Sequence, residues 1–439
     1  MTMLFSTDAM RAIFDRRARI QRMLDVEAAL ARAESAVGVI PSAAASAIAA
    51  CASVERFDVD AIEKAARNAG NLAIPLVSAL TRAVAADGGD AKGYVHWGAT
   101  SQDVIDTGLV LQLRDALEVV ARELARLRRA VASQAERHRD TVMVGRTWLQ
   151  QGTPVTLGLK FAAALAALDR DRARLDAVMP RVMVVQLGGA TGTLASLAEH
   201  GIDVQDALAR ELGLAVPPTP WHTQRDALCE LACAIGILVA TLGKLARDMA
   251  LLGQTEVGEV AEPAGESRGG SSTMPQKRNP VGASIAIAAA VRAPGLVATM
   301  LAAALQEHER GLGNWPAEWE TLPALFELAA GALDAMIEVS EGLEVHAPAM
   351  RRNLDASHGL VLAEAVQMAL AASLGRDVAH KLVAEASARA IREGRPLRDV
   401  IAENPKVGAT LGEAALDRLF EPANYLGSTA AFVDRALRG

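Results

Sequence analysis

Hydrophobic residues recur at steps of three and four along much of the chain. The clearest run is Val110, Leu113, Leu117, Val120, Leu124, Leu127 and Val131. Such steps put side chains on one face of a helix, so the run predicts an amphipathic helix sustained over several turns. An earlier helix is predicted over 10–38, with Ile13, Ile20, Leu24 and Leu30 on one side; Gly38 and then Pro41 stop it. Shorter helices follow over 59–69 and 75–86, and Asp87-Gly88-Gly89-Asp90 breaks the pattern. A helix over 154–178 takes Pro154 as its first turn, where the missing N–H costs nothing. Further helices run to about Gln254, over 280–306 with a kink or division at Pro294, and on to about Gly342. Gly375 then separates two modest helices. No strand-rich block or repeat stands out, so the predicted fold class is all-α.

The long segments suit a helical bundle. Three helical domains are expected: an N-terminal one over 1–105, a central long-helix bundle over 106–345, and a C-terminal one over 346–439. Length agrees, since 439 residues exceed one simple core. So does composition, 51% hydrophobic but only 3% aromatic, with alanine throughout.

Charge and cysteine narrow the class. A net charge of −7 with no basic domain argues against a nucleic-acid partner. It leaves room for an anionic small molecule, because a pocket's local charge can oppose the whole. Cys51, Cys229 and Cys233 are too few and odd in number for a disulfide framework. Cys229 and Cys233 sit four apart with no His or Cys pair to complete four ligands, so no metal site is expected. The N-terminus lacks a signal-type apolar core. The longest apolar run, 231–243, is shorter than the roughly 20 residues of a membrane helix. A soluble, cytoplasmic protein with no membrane partner is expected.

Three polar clusters interrupt the helices: His96-Trp97-Gly98-Ala99-Thr100-Ser101-Gln102-Asp103, Arg146-Thr147-Trp148-Leu149-Gln150-Gln151, and Gly269-Gly270-Ser271-Ser272-Thr273-Met274-Pro275-Gln276-Lys277-Arg278-Asn279. The third concentrates glycines, hydroxyls and a lysine, a combination that can hold an anion. A further glycine-rich stretch, 187–193, lacks the preceding strand that a nucleotide fingerprint requires. Helices of roughly 25 residues span about 40 Å, so clusters at opposite bundle ends cannot meet within one subunit. A pocket drawing on all three needs antiparallel neighbouring subunits, and an oligomer is predicted.

Gly270 to Pro280 resembles the signature of the fumarase/aspartase/argininosuccinate lyase superfamily. His96 to Asp103 resembles its first signature region and Gly145-Arg146-Thr147 its second. The resemblance, in order and spacing, covers nearly the whole chain. It implies an all-α homotetramer with active sites shared between subunits. It also implies bond making or breaking beside a carboxylate, without metal or organic cofactor. Gly145 to Gln150, and 306–310 through Trp315 to Trp319, look like the subgroup of bacterial cycloisomerases. These lactonise the tricarboxylate 3-carboxy-cis,cis-muconate in the protocatechuate branch of aromatic degradation. The adenylosuccinate lyase subgroup shares the His96 to Asp103 pattern and is the alternative.

Trp148 separates the two. Many superfamily lyases carry histidine there, for proton transfer or substrate activation. An amine leaving group needs a proton donor. A lactonisation instead uses the substrate's own carboxylate, ionised at neutral pH because its ordinary pKa is roughly 4. By the resemblance, Ser271 is the catalytic serine and carries the proton, and Lys277 and Asn279 bind the developing carboxylate. His96, Thr100, Ser101, Thr147 and Gln150 hold the other carboxylates or orient the chain. His96 and His222 remain open as further proton carriers, and Arg146, Arg225 and Arg310 as substrate ligands or structural ion pairs. Trp315 and Trp319 fit either a diene pocket or the core. The segment 265–270 suits a lid.

Overall fold

Asp15 accepts a hydrogen bond from the Ala18 N–H at 2.8 Å and starts α1 (Arg16–Val37), an N-cap that ends the preceding short helix Asp8–Phe14. The single helix predicted over 10–38 is therefore two. Gly38 closes α1 at φ 88°, a left-handed cap open to glycine. The helices Val59–Ala69 and Ala73–Ala86 follow. The computed structural model describes residues 3–87, 90–265 and 268–439. The predicted break at Asp87–Asp90 and the lid over 265–270 thus fall partly outside the described residues.

The periodic run becomes α2 (Ser101–Arg137), 37 residues long. All seven seam residues are buried, none more than 3% exposed. The next stretch corrects the sequence reading. Residues Val142–Thr147 (β1) and Gln150–Thr156 (β2) form an antiparallel hairpin, and α3 begins only at Leu157 and runs to Val182. Pro154 lies within β2 opposite Val144, not in a helix's first turn. The hairpin slips register between Val144 and Arg146. Gly145 permits the close pairing there, since a Cβ would lie 2.6 Å from the Thr153 carbonyl oxygen.

Three more long helices follow: α4 (Asp226–Leu252), α5 (Val281–Ala303) and α6 (Asn314–Glu341). A two-residue ladder pairs β3 (Val260–Ala261) with β4 (Glu344–Val345). Gly375 separates Ala363–Leu374 from Arg376–Glu393, as predicted. Among the described residues the architecture is all-α with one hairpin, β1–β2, and the short ladder that joins the distant β3 and β4. By length and composition α4 and α5 could each cross a membrane, which corrects the expectation that no segment reaches that length. The uninterrupted run was the wrong measure, because each helix is apolar overall while tolerating a few polar residues.

The chain divides into two compact units. The first comprises Met1–Leu124, Asp171–Gly243 and Ile285–Asp334; the second comprises Ala125–Arg170, Lys244–Ser284 and Ala335–Gly439. In the first, Ile20, Leu24, Ile48, Leu76, Leu80 and Leu111 share one core cluster, and Leu30, Leu187, Val204 and Leu208 another. In the second, Val366, Leu370, Leu397 and Ile401 form the core beneath the C-terminal helices, and Val144 of the hairpin packs with Leu354 and Leu362.

Candidate active site

The first unit carries His96, Thr100 and Ser101 at the start of α2. Asp103 organises them. Its Oδ2 accepts the N–H groups of Thr100 and Gly189, each at 2.9 Å. Its Oδ1 accepts the Gly188 N–H at 2.9 Å and pairs with His222 Nε2 at 2.7 Å. One buried carboxylate thus ties the helix start to the glycine-rich stretch 187–193, giving that stretch a structural task. Gly98 is tightly enclosed beside it: at φ 72°, a Cβ on it would lie 2.6 Å from Leu197 Cδ2, and a Cβ on Gly189 would lie 3.1 Å from the Gly98 carbonyl oxygen. The hydroxyls of Thr100 and Ser101 make no hydrogen bond among the described residues, and both side chains are half-buried.

His96 is held from α1. Its Nδ1 lies 2.6 Å from Glu27 Oε1, and its backbone adopts the left-handed region at φ 58°. Burial pulls its pKa down, but the charge and hydrogen bond of Glu27, with the charge of Asp103, outweigh burial and raise it.

Behind this cluster sits Arg225, fully buried between two carboxylates. Its Nη1 donates to Asp106 at 2.7 Å and its Nη2 to Glu318 at 2.5 Å. Burial opposes the charge, yet both carboxylates raise its pKa, so it stays a cation. Gln102 and Trp315 Nε1 donate to the same Asp106, each at 3.0 Å, and Gln306 donates to Glu318 at 2.8 Å. Arg310 donates to Gln102 at 2.9 Å and to the Ala190 carbonyl at 2.7 Å. Arg225, Arg310 and His222 are therefore occupied by protein partners. Trp315 is a core residue, stacked edge-on to Trp319 at 4.9 Å between ring centroids.

The second unit carries the other two clusters, both anchored on residues 259–262. Arg146 donates two hydrogen bonds to Glu259, at 2.9 and 2.7 Å, so it braces the hairpin. Glu259 is fully buried and also accepts from Asn353 at 2.8 Å. The hairpin tip then presents Thr147, Trp148, Leu149 and Gln150, all exposed. Trp148 and Leu149 form a two-residue turn with φ 53° and 63°. Such turns favour Asn and Gly, and bulky residues there carry strain. Trp148 is 98% exposed.

The signature loop is fastened at its ends. Glu262 accepts the N–H groups of Gly282 and Ala283 at 2.9 and 2.8 Å, capping α5, and pairs with Arg268 at 3.5 Å. Arg278 forks onto Glu344 at 2.9 and 2.8 Å. The Asn279 N–H donates to the Gly269 carbonyl at 2.8 Å, and a Cβ on Gly269 would lie 2.5 Å from the Asn279 carbonyl oxygen. Between these ties, Ser271 Oγ accepts the Met274 N–H at 3.1 Å and the Thr273 N–H at 3.4 Å. The Lys277 ammonium is exposed with no partner among the described residues, and Asn279 is half-buried. No hydrogen bond joins this loop to the hairpin tip among the described residues.

Sequence reasoning missed Glu27, Glu259 and Glu262. Each acts on a partner 69, 113 and 20 residues away respectively, so no local spacing marks them.

Known proteins resemble the chain throughout its length. The family profile described as Lyase matches residues 2–295, and that described as Adenylosuccinate lyase C-terminus matches residues 359–436. The 3-carboxy-cis,cis-muconate cycloisomerase of Pseudomonas aeruginosa is 57% identical over 99% of this chain and 94% of its own length. That of Pseudomonas putida is 54% identical over 94% of this chain and 98% of its own. The crystal structure of the 3-carboxy-cis,cis-muconate lactonizing enzyme from Pseudomonas putida superposes with a TM-score of 0.94, at 52% identity over 99% of this chain and 97% of that one.

Proposed function

The chain belongs to the fumarase/aspartase/argininosuccinate lyase superfamily, and on that premise we propose how its residues carry out the reaction for which relatives 46–57% identical are named. It is a cycloisomerase that lactonises 3-carboxy-cis,cis-muconate to 4-carboxymuconolactone, in the protocatechuate branch of the beta-ketoadipate pathway. A substrate carboxylate oxygen adds to one carbon of a conjugated double bond. The electron pair moves to the neighbouring carbon and into its adjoining carboxylate, and that carbon then takes a proton. The substrate supplies both nucleophile and acceptor, and the protein supplies charge and a proton.

The observation that carries this reading is the environment of Ser271. Its Oγ already accepts two backbone N–H groups, from Thr273 and Met274. When the hydroxyl gives its proton to carbon, those donors stabilise the alkoxide left behind, an arrangement equivalent to an oxyanion hole. Lys277 and Asn279 meet the enediolate-like carboxylate, Lys277 as a point charge whose ammonium has no protein partner among the described residues. His96, Thr100 and Ser101 hold a second carboxylate at the start of α2, where the helix's N–H groups and dipole favour an anion. Thr147 and Gln150 orient the third, and Trp148 offers its ring to the planar diene. Trp148 brings no proton donor, which suits a lactonisation and not the loss of an amine.

We place this site in a homotetramer in the cytoplasm, with each site built from several subunits. Two features support the assembly. Trp148 and Leu149 protrude from a strained turn, 98% and 74% exposed. In addition, only 22% of the most apolar stretch of α5 is buried, and Val291 and Leu301 lie open on it. Further copies of the chain would cover both.

The test is direct. Purified protein should bleach the ultraviolet absorbance of 3-carboxy-cis,cis-muconate. Absence of bleaching, together with fumarate release from adenylosuccinate, would reverse the assignment.

A further inference from the structure

Two acidic residues of α1 lie in the interior beside the first cluster. Glu27 is 1% exposed, and its one hydrogen-bond partner among the described residues is His96. Its second oxygen, Oε2, is buried without a partner among the described residues. Glu34, seven residues along the helix, is also 1% exposed, and neither of its carboxyl oxygens has a partner among the described residues. Burial first, then the charge of Glu27, pushes Glu34 up to about 9, so it holds its proton at neutral pH. A buried carboxylate is costly to keep charged unless a cation pairs with it. Among the described residues the one cation paired with Glu27 is His96. The negative groups acting on the ring are Glu27 from α1 and Asp103 from α2. Asp103 already accepts from Thr100, Gly188 and Gly189 and pairs with His222.

We propose that Glu27 is a positioning residue that holds His96 as a cation, with Nδ1–H donated to Glu27 and Nε2–H turned to a substrate carboxylate. This rests on the reading of His96 as a carboxylate ligand. Three observations converge on it. The Nδ1 contact is short for a neutral pair and suits a charged one. His96 Nε2 makes no hydrogen bond among the described residues, though the ring is only 18% exposed. Finally, the left-handed backbone of His96 costs energy, and the Glu27 contact holds the ring in the conformation that this backbone sets. A cation preformed in this way meets the tricarboxylate without a proton having to be taken up on binding. Glu34, being neutral, leaves Glu27 as the single charge of the pair, so the buried ion pair balances.

The experiment reads His96 without substrate. Deuterium uptake at the imidazole Cε1–H is followed across pH by mass spectrometry on the peptide that contains His96. In the wild type the midpoint should lie above the ordinary value of roughly 6.5. In Glu27→Gln it should fall by about one pH unit or more, and Glu27→Asp should recover part of the shift. Kinetically, the alkaline limb of kcat/KM should move to lower pH by the same amount in Glu27→Gln. The loss, about tenfold at pH 8, should appear in KM and not in kcat. A wild-type midpoint at or below the ordinary value overturns the proposal whether or not the variants fold. An unchanged midpoint in Glu27→Gln does the same. Should the protein instead fail to turn over the muconate, the exchange measurement still decides the Glu27–His96 coupling on its own.

Discussion

Replacing Glu34 by glutamine should make the protein less sensitive to alkali. In the unfolded chain the Glu34 carboxyl ionises near its ordinary value of 4.5, whereas in the fold it keeps its proton to about 9. Between those limits the folded state binds more protons than the unfolded one, so stability falls as pH rises. Each pH unit costs about 1.4 kcal/mol. From pH 5.5 to pH 8 the native protein should therefore lose about 3 kcal/mol through this one group, as an upper figure. Glu34→Gln keeps the shape and removes the ionisation, so it should abolish that loss. The buried, unpartnered environment changes little, because neither oxygen has a hydrogen-bond partner to sacrifice. The assay is urea denaturation of both proteins at one fixed protein concentration, at pH 5.5 and pH 8. The gap in unfolding free energy between variant and wild type should widen by about 3 kcal/mol in favour of the variant. Parallel pH curves would refute the reasoning, since they would mean that Glu34 ionises alike in both states.

Other perturbations separate chemistry from scaffold. Ser271→Ala should lower kcat by roughly 10² to 10⁴ with unchanged urea stability; a variant with full turnover would remove Ser271 as proton carrier. Arg225→Met leaves Asp106 and Glu318 buried without their cation and should cost about 3 to 5 kcal/mol in the same denaturation assay. Gly98→Ala forces a side chain into Leu197 at positive φ, and should raise KM through displacement of His96, read by steady-state kinetics. Val291→Asp places charge on the open face of α5, and sedimentation should show smaller assemblies than the wild type forms.

Periodicity was a sound guide where a helix buries a single continuous stripe. The seam from Val110 to Val131 emerged intact, and Gly38 and Gly375 ended helices where expected. It failed at Pro154, where a proline before an apolar run reads equally as a helix start or as a strand of a hairpin. Only the pairing of Thr147 with Gln150 distinguishes the two, and pairing is a tertiary fact. The signature loop was legible because its glycines, hydroxyls and lysine are consecutive. The supports of the site were not. Glu27, Glu259 and Glu262 look like ordinary helix or loop acids until the fold brings their distant partners to them. Arg225 and Arg310 showed another limit: their charge alone left ligand and structural partner open, and the fold places Arg225 on buried carboxylates and Arg310 on Gln102 and backbone carbonyls.

The fourfold bonding of Asp103 also bears on the order in which the molecule assembles. Its partners lie three residues away at Thr100, but 85, 86 and 119 residues away at Gly188, Gly189 and His222. Local helices form quickly, whereas closing loops of such length is slow and comes late. On refolding, helical signal should thus return well before the proposed binding surface at the start of α2. For an interval the chain would be fully helical yet unable to retain its substrate.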